Sequence, residues 1–484
     1  MTNAPRDTAK EIVRRLNAAG FQAFWVGGCV RDFLLGHEPQ DYDIATDARP
    51  EQIEKLFQKT IAVGRKFGVM IVIEGKQQFQ VATFRAEADY RDGRRPTKVV
   101  FASAEADALR RDFTVNGLFY DPLTEKLHDW VGGEKDLRAK IIRTIGAPEE
   151  RFAEDHLRLL RAVRFAAQLN FEIEPQTFVA IKMLAPKIKL ISAERVRDEL
   201  IKLFTSSRTD FSLSSRKGGE GGSEEAGFSK IQSPLPRPSP RLGGEREKSS
   251  VAARGLVLLR DSGLLEHVLP ELAATISCEQ SPDYHPEGTV FEHVRLMLGK
   301  LPPDAHPSLP WAVILHDIGK PATAERDAAT GKIHFYEHEK IGAAMGERIL
   351  QRLHFPKKQI EEIVACVRQH MQFKDVKQMR KATLRQLLLR KTFPLELELH
   401  RLDCLGSHGD LEHYEFLVQQ AAELEKQPAI RPPLLTGDDL IALGVKPGPA
   451  MGALLAEIRD KQLQDELKTP RQARAWVKKR MAHG

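Results

Sequence analysis

The sequence predicts an α+β chain, with a small mixed β-sheet in its first third and helices from there to its end. Three observations carry this reading. Between Phe24 and Arg85, short apolar or alternating runs recur with turn residues between them, which is the period of strands. From about residue 150 the apolar residues instead recur every three to four positions, which is the period of helices. Between those helices, residues 206–250 break the pattern: Ser, Gly and Pro supply 22 of the 45 residues, with Pro-Leu-Pro-Arg-Pro-Ser-Pro at 234–240. Such a stretch cannot bury a core and is predicted to be a disordered surface insertion.

Taken in order, residues 8–20 read as an amphipathic helix. The run from Phe24 to Gly36 then reads as strand, tight loop and helix start. Gly27 and Gly28 lack a Cβ, so backbone N–H groups there can close on a phosphate at a helix N-terminus. Asp41 and Asp43 follow, alternating with Tyr42 and Ile44. In a strand that alternation puts both carboxylates on one face, where they repel unless a cation lies between them; Mg2+ is the expected ion. Singly, a Gly-Gly turn or an Asp-x-Asp is as readily structural as catalytic. Pro50 is expected to open a helix reaching Lys59, and Val69–Glu74 with Gln78–Arg85 should form a hairpin beside the aspartate strand.

At 484 residues the chain has room for about three domains. Hydrophobic content of 42% and charged content of 29% describe a soluble globular protein, with no apolar run long enough for a bilayer and no signal-peptide core. Cys29, Cys278, Cys366 and Cys404 are scattered, which argues against disulfides and thiolate metal sites and fits a reducing cytoplasm. The net charge is +6, and residues 440–484 hold nine Lys/Arg against four Asp/Glu. A basic tail suits a phosphate backbone, although a solvated helix face has the same composition.

Strand, Gly-Gly, helix and Asp-x-Asp within about twenty residues resemble the head of the class II tRNA nucleotidyltransferase and bacterial poly(A) polymerase family, a branch of the DNA polymerase β-like superfamily. The resemblance implies that Asp41 and Asp43 are catalytic and bind Mg2+, and that Gly27, Gly28 and Arg31 hold the triphosphate. It also implies a third carboxylate on a neighbouring strand, where this chain has Gln80. The charged stretch Asp89–Pro96 matches the family's flexible loop. Arg111, Asp112 and Asn116, expected on one amphipathic helix, are assigned to the ribose and triphosphate of the nucleotide.

Asp155, Arg158 and Arg161 are expected on one ridge of a single helix and match the family's base-selecting motif. Cytosine and adenine each present an amino donor beside a ring-nitrogen acceptor, whereas uracil and guanine present a carbonyl beside an N–H. One carboxylate and one guanidinium therefore accept C and A and leave unpaired groups against U and G. An ordinary Asp155–Arg158 helix ion pair is the plainer alternative. Glu194, Arg195 and Glu199 match a motif that braces this helix, and Arg164 is expected to be supportive.

Beyond the insertion, Val251–Leu272 reads as one amphipathic helix. His293, the adjacent pair His316-Asp317 in His-Asp-Ile-Gly-Lys, and His338, His370 and Asp403 lie on separate helical segments. Imidazole with carboxylate is a metal-binding set with room for water and phosphate. It resembles the HD phosphohydrolase superfamily, which implies His293, His316 and Asp317 as core ligands and His338, His370 and Asp403 as ligands of a second ion, a transition metal or Mg2+.

The expected organisation is therefore a polymerase-β-like nucleotidyltransferase head over 1–145 and a base-selecting neck over 146–205. The insertion at 206–250, neck and body helices at 251–285, an HD domain at 286–405 and a helical RNA-binding tail at 406–484 follow. The implied activity is template-free addition of CCA to tRNA from CTP and ATP, in the cytoplasm, without a membrane partner and with oligomeric state left open. The alternatives are a poly(A) polymerase, an enzyme adding only CC or only A, and an HD phosphohydrolase whose head merely binds RNA.

Overall fold

A computed structural model of the protein describes residues 4–64, 68–86, 100–206, 250–282, 285–426 and 432–482. The loop expected at 89–96, and the insertion apart from its end residues Ser206 and Ser250, lie outside the described residues.

The chain opens with the helix Pro5–Ala18, whose Ala9, Ile12, Val13 and Leu16 face is fully buried. That face packs on a seven-stranded mixed sheet. From one edge the order is Thr60–Gly64, Val69–Glu74, Gln77–Thr83, Ile44–Thr46, Ala23–Val26, Phe119–Asp121 and Lys126–His128. Ile44–Thr46 runs parallel to Gln77–Thr83, with Ile44 opposite Val81, and the other neighbours are antiparallel. The interior strand Ala23–Val26, next to the central Ile44–Thr46, is buried along its whole length, as a strand covered on both faces must be. The helix opened by Pro50 ends at Leu56, short of the expected Lys59, and the edge strand begins at Thr60.

Beyond residue 148 the described chain is almost wholly helical. Leu157–Leu169, Ala193–Thr205 and Val251–Asp261 form the neck, and an added Cβ at Gly255 would stand 2.5 Å from Leu203, so glycine sets how closely two of these helices approach. The single helix expected over 251–272 is three: Val251–Asp261, Leu265–Val268 and Pro270–Ala273. Gly263, at φ +73°, and Pro270 explain the breaks.

One continuous hydrophobic core runs from Ala9 through the sheet and neck to Leu402. The tail has its own cluster, around Leu440, Met451, Ile458 and Val477, built by three helices: Gly437–Ala442, Pro449–Leu463 and Pro470–Ala482. No helix among the described residues is long and apolar enough to cross a membrane.

Candidate active site in the head and metal centre in the helical domain

In the head, Trp25 pairs with Ile44, and the next N–H along, that of Val26, donates to the Asp43 carbonyl at 3.0 Å. This bond fixes Asp43 beside the turn where the strand Ala23–Val26 ends at Gly27. The strand proper starts at Ile44, so Asp41 and Asp43 sit in the extended lead-in rather than within it. The alternation nevertheless holds. Tyr42 is buried against the Trp25 ring at 4.8 Å, while Asp41 is exposed and Asp43 half-buried. Burial raises the Asp43 carboxyl, Arg111 opposes the rise, and Asp41 adds to it. A half-buried carboxylate whose ionisation is opposed by burial and by a neighbouring carboxylate is a natural place for a divalent cation.

Gln80 precedes Val81 as Asp43 precedes Ile44, so the parallel register brings its backbone alongside Asp43, with an exposed side chain. Among the described residues no group of three or more His, Cys, Asp or Glu gathers in the head.

Gly27 adopts φ +73°, and an added Cβ would stand 2.9 Å from Arg111 Nη1. Glycine here lets a guanidinium close on the turn. Arg111 is held from behind by Asp107 at 3.1 Å and lies over the Phe119 ring. Asp107, which also takes Arg110 at 2.5 Å, was not singled out from the sequence. A relay then leaves the turn. Arg31 Nη1 donates to Asn116 Oδ1 at 2.8 Å, Asn116 Nδ2 donates to Asp112 Oδ1 at 3.3 Å, and Arg161 Nη2 reaches Asp112 Oδ2 at 2.6 Å. Arg31, Arg161 and Arg164 surround the ring of Phe165.

The helix expected through Arg111, Asp112 and Asn116 is absent. Ala104–Leu109 ends before it, Phe113 bridges to Thr144, and Thr114–Asn116 is a single 3₁₀ turn. Fully buried Phe113 is extended (φ −128°, ψ 147°), and the Thr114 hydroxyl that opens the 3₁₀ turn bonds to Asp136 at 2.7 Å. Asp112 and Asn116 still meet.

Asp155, Arg158 and Arg161 do not share one helix ridge either. The helix Pro148–Glu154 stops at Asp155, whose backbone is extended (φ −150°, ψ 102°), and the next helix begins at Leu157. Asp155 Oδ1 accepts the Leu157 N–H at 3.0 Å, as a helix-initiating aspartate does, and Oδ2 takes Arg195 at 2.6 Å. Arg158 pairs with Glu154 instead, and donates to the Arg151 carbonyl at 2.9 Å. The Asp155–Arg158 ion pair is therefore not formed. Glu199 is buried against Arg164 at 2.6 Å, and Glu194 lies exposed, 3.4 Å from His354.

The second constellation is one connected cluster. His293 lies in the helix Val290–Gly299, His316 caps Leu309–Leu315, His338 opens His338–Arg352 and His370 ends Lys357–Gln369. His316, His338 and His370 each donate Nδ1–H to the carbonyl three residues earlier, at 2.9, 2.8 and 2.7 Å. That tautomer leaves every Nε2 as a lone pair aimed inward. The Nε2 atoms of His338 and His370 face each other at 3.2 Å, and buried His316 Nε2 lies 3.2 Å from Asp317 Oδ2. Lone pairs so placed need a proton or a cation. Asp317 joins them: its Oδ1 is 3.4 Å from His338 and 3.6 Å from His370, and its Oδ2 is 2.7 Å from Lys320. Burial opposes the Asp317 charge, yet His316 and Lys320 hold its carboxyl well below the usual range.

Asp403 sits apart from the His338–His370 pair with which it was expected. Its Oδ1 is 3.0 Å from His293 Nε2, so it belongs with His293, His316 and Asp317. Burial pushes His293 down, but Asp403 and Glu287 outweigh it and lift the imidazole to about 9. A cation placed between His293 and Asp403 would take the place of that proton. Lys320 and Glu287 were missed from the sequence, although Lys320 stands in the quoted His-Asp-Ile-Gly-Lys motif.

A sheet with paired aspartates beside a Gly-Gly turn, joined to a helical His/Asp cluster, defines a nucleotidyltransferase-type head carrying an HD-type domain. Three family models agree: "Poly A polymerase head domain" at residues 23–143, "Probable RNA and SrmB- binding site of polymerase A" at 170–214 and "HD domain" at 289–402. The chain thus carries a poly(A) polymerase-type head, a polymerase A-type RNA-binding segment and an HD domain.

It is similar to the CCA-adding enzyme of Staphylococcus saprophyticus, 44% identical over 204 residues, which are 42% of this chain and 51% of that one. The CCA-adding enzyme of Enterococcus faecalis is 44% identical over 206 residues, 42% of this chain and 50% of its own. These matches span about half the length of the curated relatives. The structure of the Bacillus stearothermophilus CCA-adding enzyme in complex with CTP superposes with a TM-score of 0.69 at 26% identity, covering 100% of this chain and 99% of that one. The Thermotoga maritima CCA-adding enzyme complexed with tRNA shares the fold, with a TM-score of 0.55 at 17% identity, covering 99% and 96%. Head and HD domains are both metal-dependent types, and the described HD residues group as candidate ligands.

Proposed function

We propose that the protein adds CCA to the 3′ end of tRNA from CTP and ATP, without a nucleic-acid template, and that its HD domain is a metal-dependent phosphohydrolase. The observation that carries the first reading is the Asp41/Asp43 pair beside the Gly27 turn, with Arg111 closing on that turn. Relatives named as CCA-adding enzymes, and solved complexes with CTP and with tRNA, support the choice of substrates.

Asp41 and Asp43 would hold Mg2+, which supplies neutralisation of the triphosphate and a more acidic RNA 3′-hydroxyl. Gly27 and Gly28 admit the phosphates, and Arg31 and Arg111 carry positive charge to the turn. Asp112 and Asn116 orient Arg31 from the ribose side. Asp155 and Arg158 read the base edge, with Arg161 tying the reading helix to the head. The basic tail holds RNA. Action on tRNA, with four free buried cysteines, fits the cytoplasm.

In the HD domain, His293, His316, Asp317 and Asp403 would hold one ion and His338, His370 and Asp317 another, a transition metal or Mg2+. The inward lone pairs favour this second activity over a purely structural domain.

The test is purified full-length protein with tRNA lacking its last three nucleotides, each triphosphate alone and in combination, and products sequenced. CCA ends support the proposal. Runs of A, or ends stopping at CC, identify the related polymerases instead, and metal-dependent hydrolysis without incorporation identifies a phosphohydrolase with an RNA-binding head.

A further inference from the structure

The HD family model begins at residue 289, yet the cluster's most buried histidine is gripped by a segment that precedes it. An isolated bridge pairs Glu279 with Thr289 and closes that segment against the start of the His293 helix. From it, Glu287 Oε1 lies 2.7 Å from His293 Nδ1, and the same oxygen lies 2.9 Å from His285 Nδ1. The Glu287 side chain is 5% exposed, and its Oε2 has no hydrogen-bond partner among the described residues. On the far side of the same ring, Nε2 faces Asp403 at 3.0 Å and so looks into the cluster.

His293 differs here from the other three histidines. His316, His338 and His370 each use their own helix carbonyl to fix the tautomer. His293 Nδ1 has no such helix carbonyl among the described residues and instead approaches the Glu287 carboxylate at 2.7 Å. A carboxylate on the outer nitrogen fixes which nitrogen faces the ion and raises the basicity of the one that does.

We propose that Glu287 is a positioning residue for the HD metal centre, turning His293 Nε2 and its lone pair toward the ion, with His285 supporting the Glu287 carboxylate. The centre then depends on a segment outside the HD module. The same segment contributes Gln280, whose Oε1 accepts from Lys320 Nζ at 2.6 Å while Lys320 holds Asp317, so two of the cluster's residues are steadied from there. The inference rests on the proposed metal occupancy of the HD cluster.

The experiment is Co2+ titration of the full chain after chelator treatment, read as ions per chain by elemental analysis and as d–d absorption. Wild type should bind Co2+, and His293→Ala should lose an ion. Glu287→Ala should weaken binding about 10- to 100-fold with the number of sites unchanged. Glu287→Gln, which keeps the shape and removes the charge, should weaken it less but measurably, and it carries the test if the alanine variant does not fold. His285→Ala should keep the number of ions and weaken binding less than Glu287→Ala. Wild-type affinity in the glutamine variant overturns the proposal. So does the loss of one ion per chain in both Glu287→Ala and His285→Ala, because His285, Glu287 and His293 would then be a metal site themselves. A wild type that binds no Co2+ sinks the metal reading itself, a failure distinct from any result on Glu287.

Discussion

Arg161 Nη2 stands 2.6 Å from Asp112 Oδ2, and this contact ties the neck helix to the head segment between the helix Ala104–Leu109 and the strand Phe119–Asp121. The Asp112 carboxyl is buried enough to resist ionisation, but Arg161 and Asn116 hold it below the usual carboxylate range. Arg161→Ala should therefore cost about 1.5–3 kcal/mol, the scale for losing a hydrogen bond to a buried charge. A carboxyl depressed in the folded state contributes stability above its unfolded value, near pH 4, and loses it as pH falls through the lower folded value. Arg161→Ala should flatten that acid limb in denaturation measured from pH 6 to pH 3. If Arg161→Ala and Asp112→Ala have fully additive effects, the pair is only a neighbour contact.

The paired aspartates give the sharpest activity prediction. If Asp41 and Asp43 hold the catalytic ion as proposed, Asp41→Ala or Asp43→Ala removes a ligand of an ion worth several kcal/mol to the reaction, and incorporation should fall by about 10³-fold or more. Binding of tRNA, measured by filter retention, should stay near wild type. Substantial turnover in both variants would remove the assignment.

How legible these sites are in the sequence depends on how local their determinants are. Asp41, Tyr42 and Asp43 reveal their alternation because two carboxylates straddle one buried aromatic. Arg161 and Asp112 are 49 residues apart, and no period in the sequence joins them. The stretch around Asp112 reads equally well as helix or extended chain, and the bridge from Phe113 to Thr144 decides in favour of the latter. Asp155 breaks a helix with no Gly or Pro beside it; its side-chain cap on Leu157 does so instead. Asp403 and His293 come together only through helix packing. Glu287 was nearer to hand, since His-Pro-Glu stands six residues ahead of His293.

In the HD cluster, Asp317→Ala should abolish bound metal and any phosphohydrolase activity, because Asp317 is shared by both histidine groups, whereas His316→Ala should lose one ion and the hydrolysis that needs it. Nucleotide addition should persist, since no HD ligand reaches the head relay among the described residues. Its disappearance from a variant that keeps wild-type circular dichroism would show that the two sites are coupled.

All four cysteines are free and buried. Burial pushes the Cys29 and Cys404 thiols up to about 12. Since the thiolate is the reactive form, native protein at pH 8 should label slowly with an aromatic disulfide reagent, and four thiols should appear on unfolding. Fast labelling of one thiol in the native state would mean that its cover opens readily.

The last prediction concerns base choice. Asp155 is held at a helix corner by Arg195, and Arg158 is held by Glu154, so each arrives from a separate support. If Asp155 accepts the amino hydrogens of C and A, Asp155→Ala should lose efficiency with CTP and ATP and narrow their lead over UTP and GTP. Each such pair is worth about 1–3 kcal/mol, or roughly one to two orders of magnitude in discrimination. Arg158→Ala should act similarly through the ring nitrogen. Arg195→Ala leaves the selecting carboxylate in place but unsupported, so it should give a smaller loss in the same direction. Arg164→Ala breaks the buried contact with Glu199 and should lower stability while leaving the ratios among the four triphosphates alone. The measurement is kcat/KM for all four on one tRNA end. Unchanged ratios in both the Asp155 and Arg158 variants would show that this corner only braces the neck.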